Sequence, residues 1–195
     1  MTADGDETRR RLLACAREHY LDVGAHQFSL REVARRAQVS AAAVYRHFDD
    51  KKTLLAALCG EGFKTFYGYL MRALSEKTPL ARLRATGRAY LAFGLENEED
   101  YRVIFMSPAD QFGEAHKKLL PETDTTFRFL VDRVRECQDA NVIRAGDPIP
   151  IAAAIWSMVH GLVSLRLSKH IQLDAKVFDR FFTTSTDDLI RGLAP

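Results

Sequence analysis

The chain has 195 residues, 47% of them hydrophobic and 28% charged, with a formal net charge of +2 at pH 7. That apolar content supplies one or two small domains with packed cores, and the even charge balance excludes a chain that binds polyanions over its whole surface. No apolar run reaches the roughly 18–20 residues of a membrane span. Ile149 to Leu167 comes closest but is interrupted by Trp156, Ser157, His160, Ser164 and Arg166, so no membrane partner is expected. Asp4, Asp6 and Glu7 stand where a signal sequence would need an apolar core, and Cys15, Cys59 and Cys137 are odd in number and widely spaced. Both features fit a cytoplasmic protein with reduced thiols better than a disulfide framework.

Every persuasive segment is helical. Thr8 to Val23 carries Leu12, Leu13, Ala16, Tyr20 and Leu21 on one face, and Gly24 stops it. Ser29 and Glu32 spell an S-x-x-E capping box that opens a second helix, on which Leu30, Val33, Ala34 and Ala37 recur at helical spacing. The chain turns at Gln38-Val39. Ser40 then caps a third helix, Ala41 to His47, with Ala43 and Val44 facing inward. Asp49-Asp50 precede a long helix from Lys51 to Leu74, striped by Leu54, Leu55, Leu58, Phe66, Tyr69, Leu70 and Leu74. Thr78-Pro79 opens the next helix, to about Leu95, and a shorter one covers Glu98 to Met106. Ser107 to Pro121, with Pro108 and Gly113, reads as a loop, followed by a helix over Glu122 to Ala140. Asn141 to Pro150 is a second break before two last helices, Ile151 to Lys169 and Ala175 to Leu193. No strand alternation, internal repeat or low-complexity tract is present. The expected fold class is all-α with about nine helices: a three-helix N-terminal module over residues 1–52 and a larger helical domain over 53–195.

The second and third helices have the spacing of a helix-turn-helix, whose second helix is shaped to enter the major groove of DNA. The third helix exposes Tyr45, Arg46 and His47, which donate to phosphates or base edges. The basic residues Arg9, Arg10, Arg11, Arg17, Arg31, Arg35, Arg36, Arg46, Lys51 and Lys52 also gather in this N-terminal quarter. Acidic neighbours partly offset them, and as charge alone they read as ordinary solvated helix faces.

From Arg10 through Leu13, Ala16, Tyr20, Gly24, Ser29, Val33, Ala34, Ala37, Val39-Ser40, Tyr45, His47-Phe48, Lys51 and Leu54, the chain resembles the tetracycline-repressor (TetR) family of bacterial transcriptional regulators. Gln38 departs from the pattern, which has Gly there; a left-handed backbone at Gln38 would carry about 1 kcal/mol of strain. Tyr90-x-x-Phe93, Asn97-x-x-x-Tyr101-x-x-x-Phe105 and Trp156-x-x-x-His160-Gly161 resemble a C-terminal domain of the same family, the type named for its Trp…His-Gly motif.

The resemblance implies a DNA-binding repressor that acts as a homodimer on a palindromic double-stranded operator. It places phosphate contacts at Tyr45, His47 and Lys51 and a base-reaching position at Arg31. Arg46 is the longest cationic donor on the third helix, and Ser29 and Ser40 cap their helices and stand close enough to touch phosphate. Ala41 and Ala42 lack polar reach and pack against thymine methyls. Phe48 is read as core. In the C-terminal domain the family encloses an effector. The candidate lining is Phe63, Tyr67, Tyr90, Tyr101, Phe105, Phe127, Trp156 and His160, which suits a small, largely apolar ligand. The His-Gly pair also has a structural reading, in which Gly161 lets helices approach closely. The penultimate helix is apolar nearly all round. The expected dimer interface takes Ile151, Ile155, Val159 and Leu162 from it, and Phe178 and Phe182 from the last helix.

The main rival class is an enzyme. H-E-x-x-H, G-x-S-x-G, C-x-x-C, G-x-G-x-x-G and Walker patterns are all missing from the sequence. His19, His26, His47, His116, His160 and His170 have no metal-ligand spacing. Neither catalysis, a metal nor a cofactor is therefore expected. The alternative trigger to a ligand is thiol chemistry at Cys15, Cys59 or Cys137.

Overall fold

The computed structural model describes the backbone of residues 3–107 and 113–195, and the side chains of 5–24, 26–107 and 125–195. Among the described residues there are nine α-helices and no strand. They are α1 (Ala3–Gln27), α2 (Leu30–Arg36), α3 (Ala41–Tyr45), α4 (Lys51–Met71) with a 3-10 turn at Arg72–Ser75, α5 (Pro79–Glu96), α6 (Glu98–Phe105), α7 (Gly113–Asp139), α8 (Pro148–Leu167) and α9 (Ala175–Gly192). Two compact units form: Met1–Lys64 with Glu99–Thr123, and Thr65–Glu98 with Asp124–Pro195.

The first unit is built on the apolar face of α1. Leu12, Leu13, Ala16 and Tyr20 meet Val33, Ala34 and Ala37 of α2, Val44 of α3 and Leu54, Leu55 and Leu58 of α4 in one core, which Phe28, Phe48 and Val103 of α6 complete. Gly24 breaks α1 at φ 69, a backbone that glycine adopts without steric cost. The turn between α2 and α3 places Gln38 at φ 54, the left-handed conformation for which the related pattern uses Gly. α4 starts at Asp50, whose carboxylate accepts the Thr53 N–H at 2.7 Å. α6 lies tightly on this unit. A Cβ on Gly62 of α4 would come within 2.7 Å of Ile104 Cγ2. Arg17 Nε and an Asp100 carboxylate oxygen stand 2.7 Å apart.

In the second unit α5, α8 and α9 pack against one another. Thr78 caps α5 by accepting the Ala81 N–H at 3.2 Å, with Pro79 in the first turn, as its sequence predicts. Arg84 pairs with Asp187 at 2.8 Å and Arg88 with Asp179 at 3.0 Å, tying α5 to α9. Glu136 of α7 accepts from both Arg82 and Arg133, each at 2.7 Å.

Three expected boundaries move. The loop expected over Ser107 to Pro121 is helical from Gly113, so Pro121 lies inside α7, while Pro108 falls outside the described residues. The run Glu114 to Leu120 consists of good helix formers, which outweigh the one backbone donor that proline lacks. α8 opens at Pro148 rather than Ile151, capped by Asp147, which accepts the Ile149 N–H at 3.0 Å. α3 is shorter than expected: helical geometry ends at Tyr45, and the N–H groups of His47 and Phe48 both turn back to the Val44 carbonyl.

α8 is long and apolar enough to cross a membrane by length and composition, with mean hydropathy 1.5 over its most apolar window. It nonetheless contributes Ile151, Ala152, Ile155, Val159, Val163 and Leu167 to the core of its unit. Only 28% of that window is buried, so an apolar face is left over.

Two substitutions test this packing. Gly62→Ala is expected to cost about 1–3 kcal/mol, because the branched Ile104 side chain has little room to yield. Gln38→Gly removes about 1–2 kcal/mol of left-handed strain and returns part of it as unfolded-state entropy, for a net gain of about 0.5–1 kcal/mol. Chemical denaturation reads both; a less stable Gln38→Gly protein would contradict the account of the turn.

Candidate nucleic-acid interface

α3 has only five residues, and its placement rests on three contacts. Ser40 Oγ accepts the Ala43 N–H at 3.2 Å at its start. Ala43 and Val44 are buried, at 6% and 0% exposure, and fix which face points out. Phe48, at 2%, closes the far end as core. Ala41, Ala42, Tyr45 and Arg46 are exposed as a result, Tyr45 at 56%, while His47 is half-buried beside Phe48. Arg31 is exposed on the first turn of α2. Lys51, at the start of α4, lies with its Nζ 5.7 Å from the Phe28 ring.

The charges sort themselves by partner. Arg9, Arg10, Arg17, Arg35 and Arg36 each pair with a carboxylate. Arg31 and Arg46 form no ion pair among the described residues and flank the alanine-lined surface. The solvated-face reading therefore suits the paired arginines, while Arg31 and Arg46, like exposed Arg11 of α1, remain available to an anion.

The capping box expected at Ser29 and Glu32 does not form. Ser29 is the first residue of the α2 cap in extended geometry, but its side chain caps nothing. Glu32 accepts from Arg35 at 2.6 and 2.9 Å and from Arg36 at 3.2 Å, and these charge-assisted bonds hold its carboxyl at about 2. The Ser29 N–H, which Glu32 would have accepted, donates instead to Nε2 of His19 at 3.2 Å. Sequence reasoning missed His19. The only signal was a histidine on the buried side of α1 next to Tyr20, where an aliphatic residue would have matched the stripe.

The thiols give no support to redox control. Burial pushes Cys59 up to about 12 and Cys137 up to about 11. Burial also raises Cys15, with Glu18 adding to it and Arg11 and Arg36 only partly opposing. A reactive thiolate needs the reverse shift.

The proposed effector lining divides. Phe63, Tyr101 and Phe105 belong to the first unit, with Phe105 against Phe63 at 5.8 Å and against Tyr101 at 5.2 Å between ring centroids. Tyr67, Tyr90, Phe127, Trp156 and His160 belong to the second. There Tyr90 Oη and His160 Nδ1 form a 2.9 Å hydrogen bond, Trp156 stands between His160 and Phe127, and Tyr67 packs on Phe129. Burial lowers the pKa of His160, which favours the neutral ring. Among the described residues no helix lies close on Gly161, since an added Cβ would meet nothing within 4 Å.

Most of the residues expected at the dimer interface pack inside the chain itself. Ile151, Ile155, Val159, Phe178 and Phe182 are buried in their own unit, at 6% exposure or less. Ile155 and Val159 line a cleft with Leu83 and Ile190 whose volume, about 20 Å³, holds one water at most. Apolar periodicity could not tell the two faces of α8 apart, because both are apolar. The exposed apolar residues on these helices are Ile149, Trp156, Leu165 and Phe181, with Leu162 half-exposed.

Two family models match the chain. One, described as bacterial regulatory proteins, tetR family, matches residues 12–58. The other, described as tetracyclin repressor-like, C-terminal domain, matches residues 83–189. The HTH-type transcriptional activator FasR of Mycolicibacterium smegmatis is 35% identical over 101 residues, covering 51% of this chain and 46% of that protein. The HTH-type transcriptional repressor BepR of Brucella suis is 36% identical over 58 residues, 30% of this chain and 28% of its own. The chain thus matches less than half the length of either relative. A solved structure of a protein with unknown function from Rhodococcus sp. RHA1 is 33% identical, covers 96% of each chain and superposes with a TM-score of 0.76.

Ser40→Ala removes the one side-chain cap on α3 and is expected to cost about 1 kcal/mol, with Ser40→Asp restoring most of it. Thermal melting of the three proteins checks this; equal stability of Ser40→Ala and the parent would mean that the cap does not hold α3.

Proposed function

The chain belongs to the tetR family of bacterial regulatory proteins, and we propose that it is a cytoplasmic transcriptional regulator that binds double-stranded operator DNA as a homodimer. The observation that carries this reading is the exposed surface of Tyr45, Arg46 and Arg31 around Ala41 and Ala42, in which neither arginine is neutralised by a carboxylate among the described residues. Arg46 is assigned to a guanine edge or phosphate, Arg31 to a base, and Ser29, Ser40, Tyr45, His47 and Lys51 to the phosphate backbone. Both matched models describe regulators, and no catalytic step or cofactor is assigned.

The homodimer is supported by the face that α8 and α9 leave uncovered. Ile149, Ala153, Ser157, Gly161 and Leu165 form a row at spacing four along α8, small in its middle, with Trp156 beside it and Phe181 exposed on α9. A second copy of α8 and α9 covers that face by two-fold symmetry. Two copies of α3 then read a palindrome whose half-sites lie about one helical turn apart.

The DNA-binding module is assigned to residues 1–52 and the effector and dimerisation domain to 53–195. Repression is assigned because occupancy of an operator suffices to block transcription, without an activating contact. The effector is a small, largely apolar compound with one or two polar groups, taken up beside the Tyr90–His160 pair. Since α4 begins at the DNA module and continues into the second unit, a ligand that favours one course of α4 releases DNA by its differential affinity for the two states, typically about 1–3 kcal/mol.

Two experiments test this. Arg46→Ala should weaken specific binding by about 1–3 kcal/mol, whereas Lys51→Ala weakens all sequences alike and lowers the salt slope by about one charge. Unchanged specific affinity in Arg46→Ala would overturn the assignment of the reading face. Phe181→Glu should shift the protein to monomer in sedimentation while leaving its helical signal intact; a persistent dimer would place the interface elsewhere.

A further inference from the structure

The first-turn N–H groups of a helix need acceptors from outside it, and α2 meets this need unusually. The side chain of its cap residue Ser29 makes no cap hydrogen bond, and Glu32 is held by Arg35 and Arg36. The Ser29 N–H goes to His19 Nε2 on α1, at 3.2 Å. A ring nitrogen accepts only through its lone pair, so this bond requires neutral His19 with its proton on Nδ1. The ring is 5% exposed and stacks on Phe28, centroid to centroid 5.3 Å. Nδ1 is buried without a hydrogen-bond partner, so nothing else among the described residues fixes the tautomer.

We propose that His19 is a positioning residue for DNA binding, which holds the start of α2 in place while its ring is neutral and lets go when the ring is protonated. The proposal rests on the DNA-binding reading above. Protonation would set two N–H groups against each other across 3.2 Å and bury a cation. The segment that gives way carries Ser29 and Arg31, two of the assigned DNA contacts. The charged groups around the ring are Asp22 on α1, Glu32 and Arg36 on α2, and Lys51 on α4. Burial is the largest influence and lowers the pKa, Arg36 and Lys51 lower it further, and Glu32 and Asp22 raise it. With the folded value below the unfolded value of about 6.5, the unfolded chain takes up the proton first. The neutral lock is complete above that value and is lost as pH falls through the folded pKa.

The test compares the parent with His19→Gln, whose amide oxygen accepts a hydrogen bond at every pH, and with His19→Leu, which accepts none. The probe is the duplex that the parent enriches from a randomised pool. From about pH 7.5 to about pH 5.5 the parent should lose roughly tenfold more affinity than His19→Gln, and His19→Leu should bind weakly with no such loss. His47 and the other histidines remain in all three proteins and cancel in the comparison. Coincident pH profiles for parent and His19→Gln would overturn the proposal and leave the DNA reading standing. No duplex enriched at any pH would overturn both. If His19→Gln fails to fold, nitrogen NMR of the parent decides: loss of the Nε2 acceptor signal and of Ser29 amide protection at the pH where affinity falls supports the lock. Ser29 protection that persists while affinity falls overturns it.

Discussion

Helices of seven and five residues do not persist alone in water, because helix nucleation costs more than so few hydrogen bonds return. α2 and α3 are such helices, and every feature of their exposed surface depends on what holds them. The hold is a core in which small and β-branched residues, Val33, Ala34, Ala37 and Val44, pack α2 on α1 and α3 on α2. With those faces fixed inward, Ala41, Ala42, Tyr45 and Arg46 have only the outward direction. Exposure of the reading surface is therefore a consequence of burial on the other side, and the left-handed turn at Gln38 is the strain accepted to set the crossing.

Electrostatics then divides the N-terminal arginines into paired and unpaired groups. Most of the N-terminal arginines are engaged by carboxylates on neighbouring turns or helices, where they knit α1 to α2, α4 and α6. Among the described residues Arg31, Arg46 and Arg11 are not. In a chain of nearly balanced charge, what makes a local anion-binding surface is the distribution of partners, and net charge does not register it. The same logic governs the second unit, where acidic residues on α9 are taken up by Arg84 and Arg88 of α5.

The features that were legible in the sequence are those set by local chemistry. The cap at Ser40, the Thr78-Pro79 start of α5, the acidic start of α4, the break at Gly24 and the buried Phe48 all follow from residues within one turn of the effect they cause. What was hidden depends on competition between partners distant in sequence or equal in pattern. Ser29 and Glu32 spell a capping box, but Glu32 has two arginines within reach at spacings three and four, and a charged donor outbids a backbone amide. That left an N–H for His19, ten residues away, and no local rule marks such a pairing. The buried and exposed faces of α8 are both apolar, so periodicity did not show which of them packs within the unit. The aromatics proposed as one lining belong to two units, which composition cannot distinguish.

The central claim is that α3 reads DNA from two symmetry-related copies of this chain. Hydroxyl-radical footprinting on the enriched duplex, at single-nucleotide resolution, addresses it most directly. The account predicts two equal protected patches related by a dyad, centred on successive major-groove faces of the duplex, with Arg46→Ala weakening protection at the same position in each half. A single asymmetric patch, or protection confined to the minor groove, would contradict it.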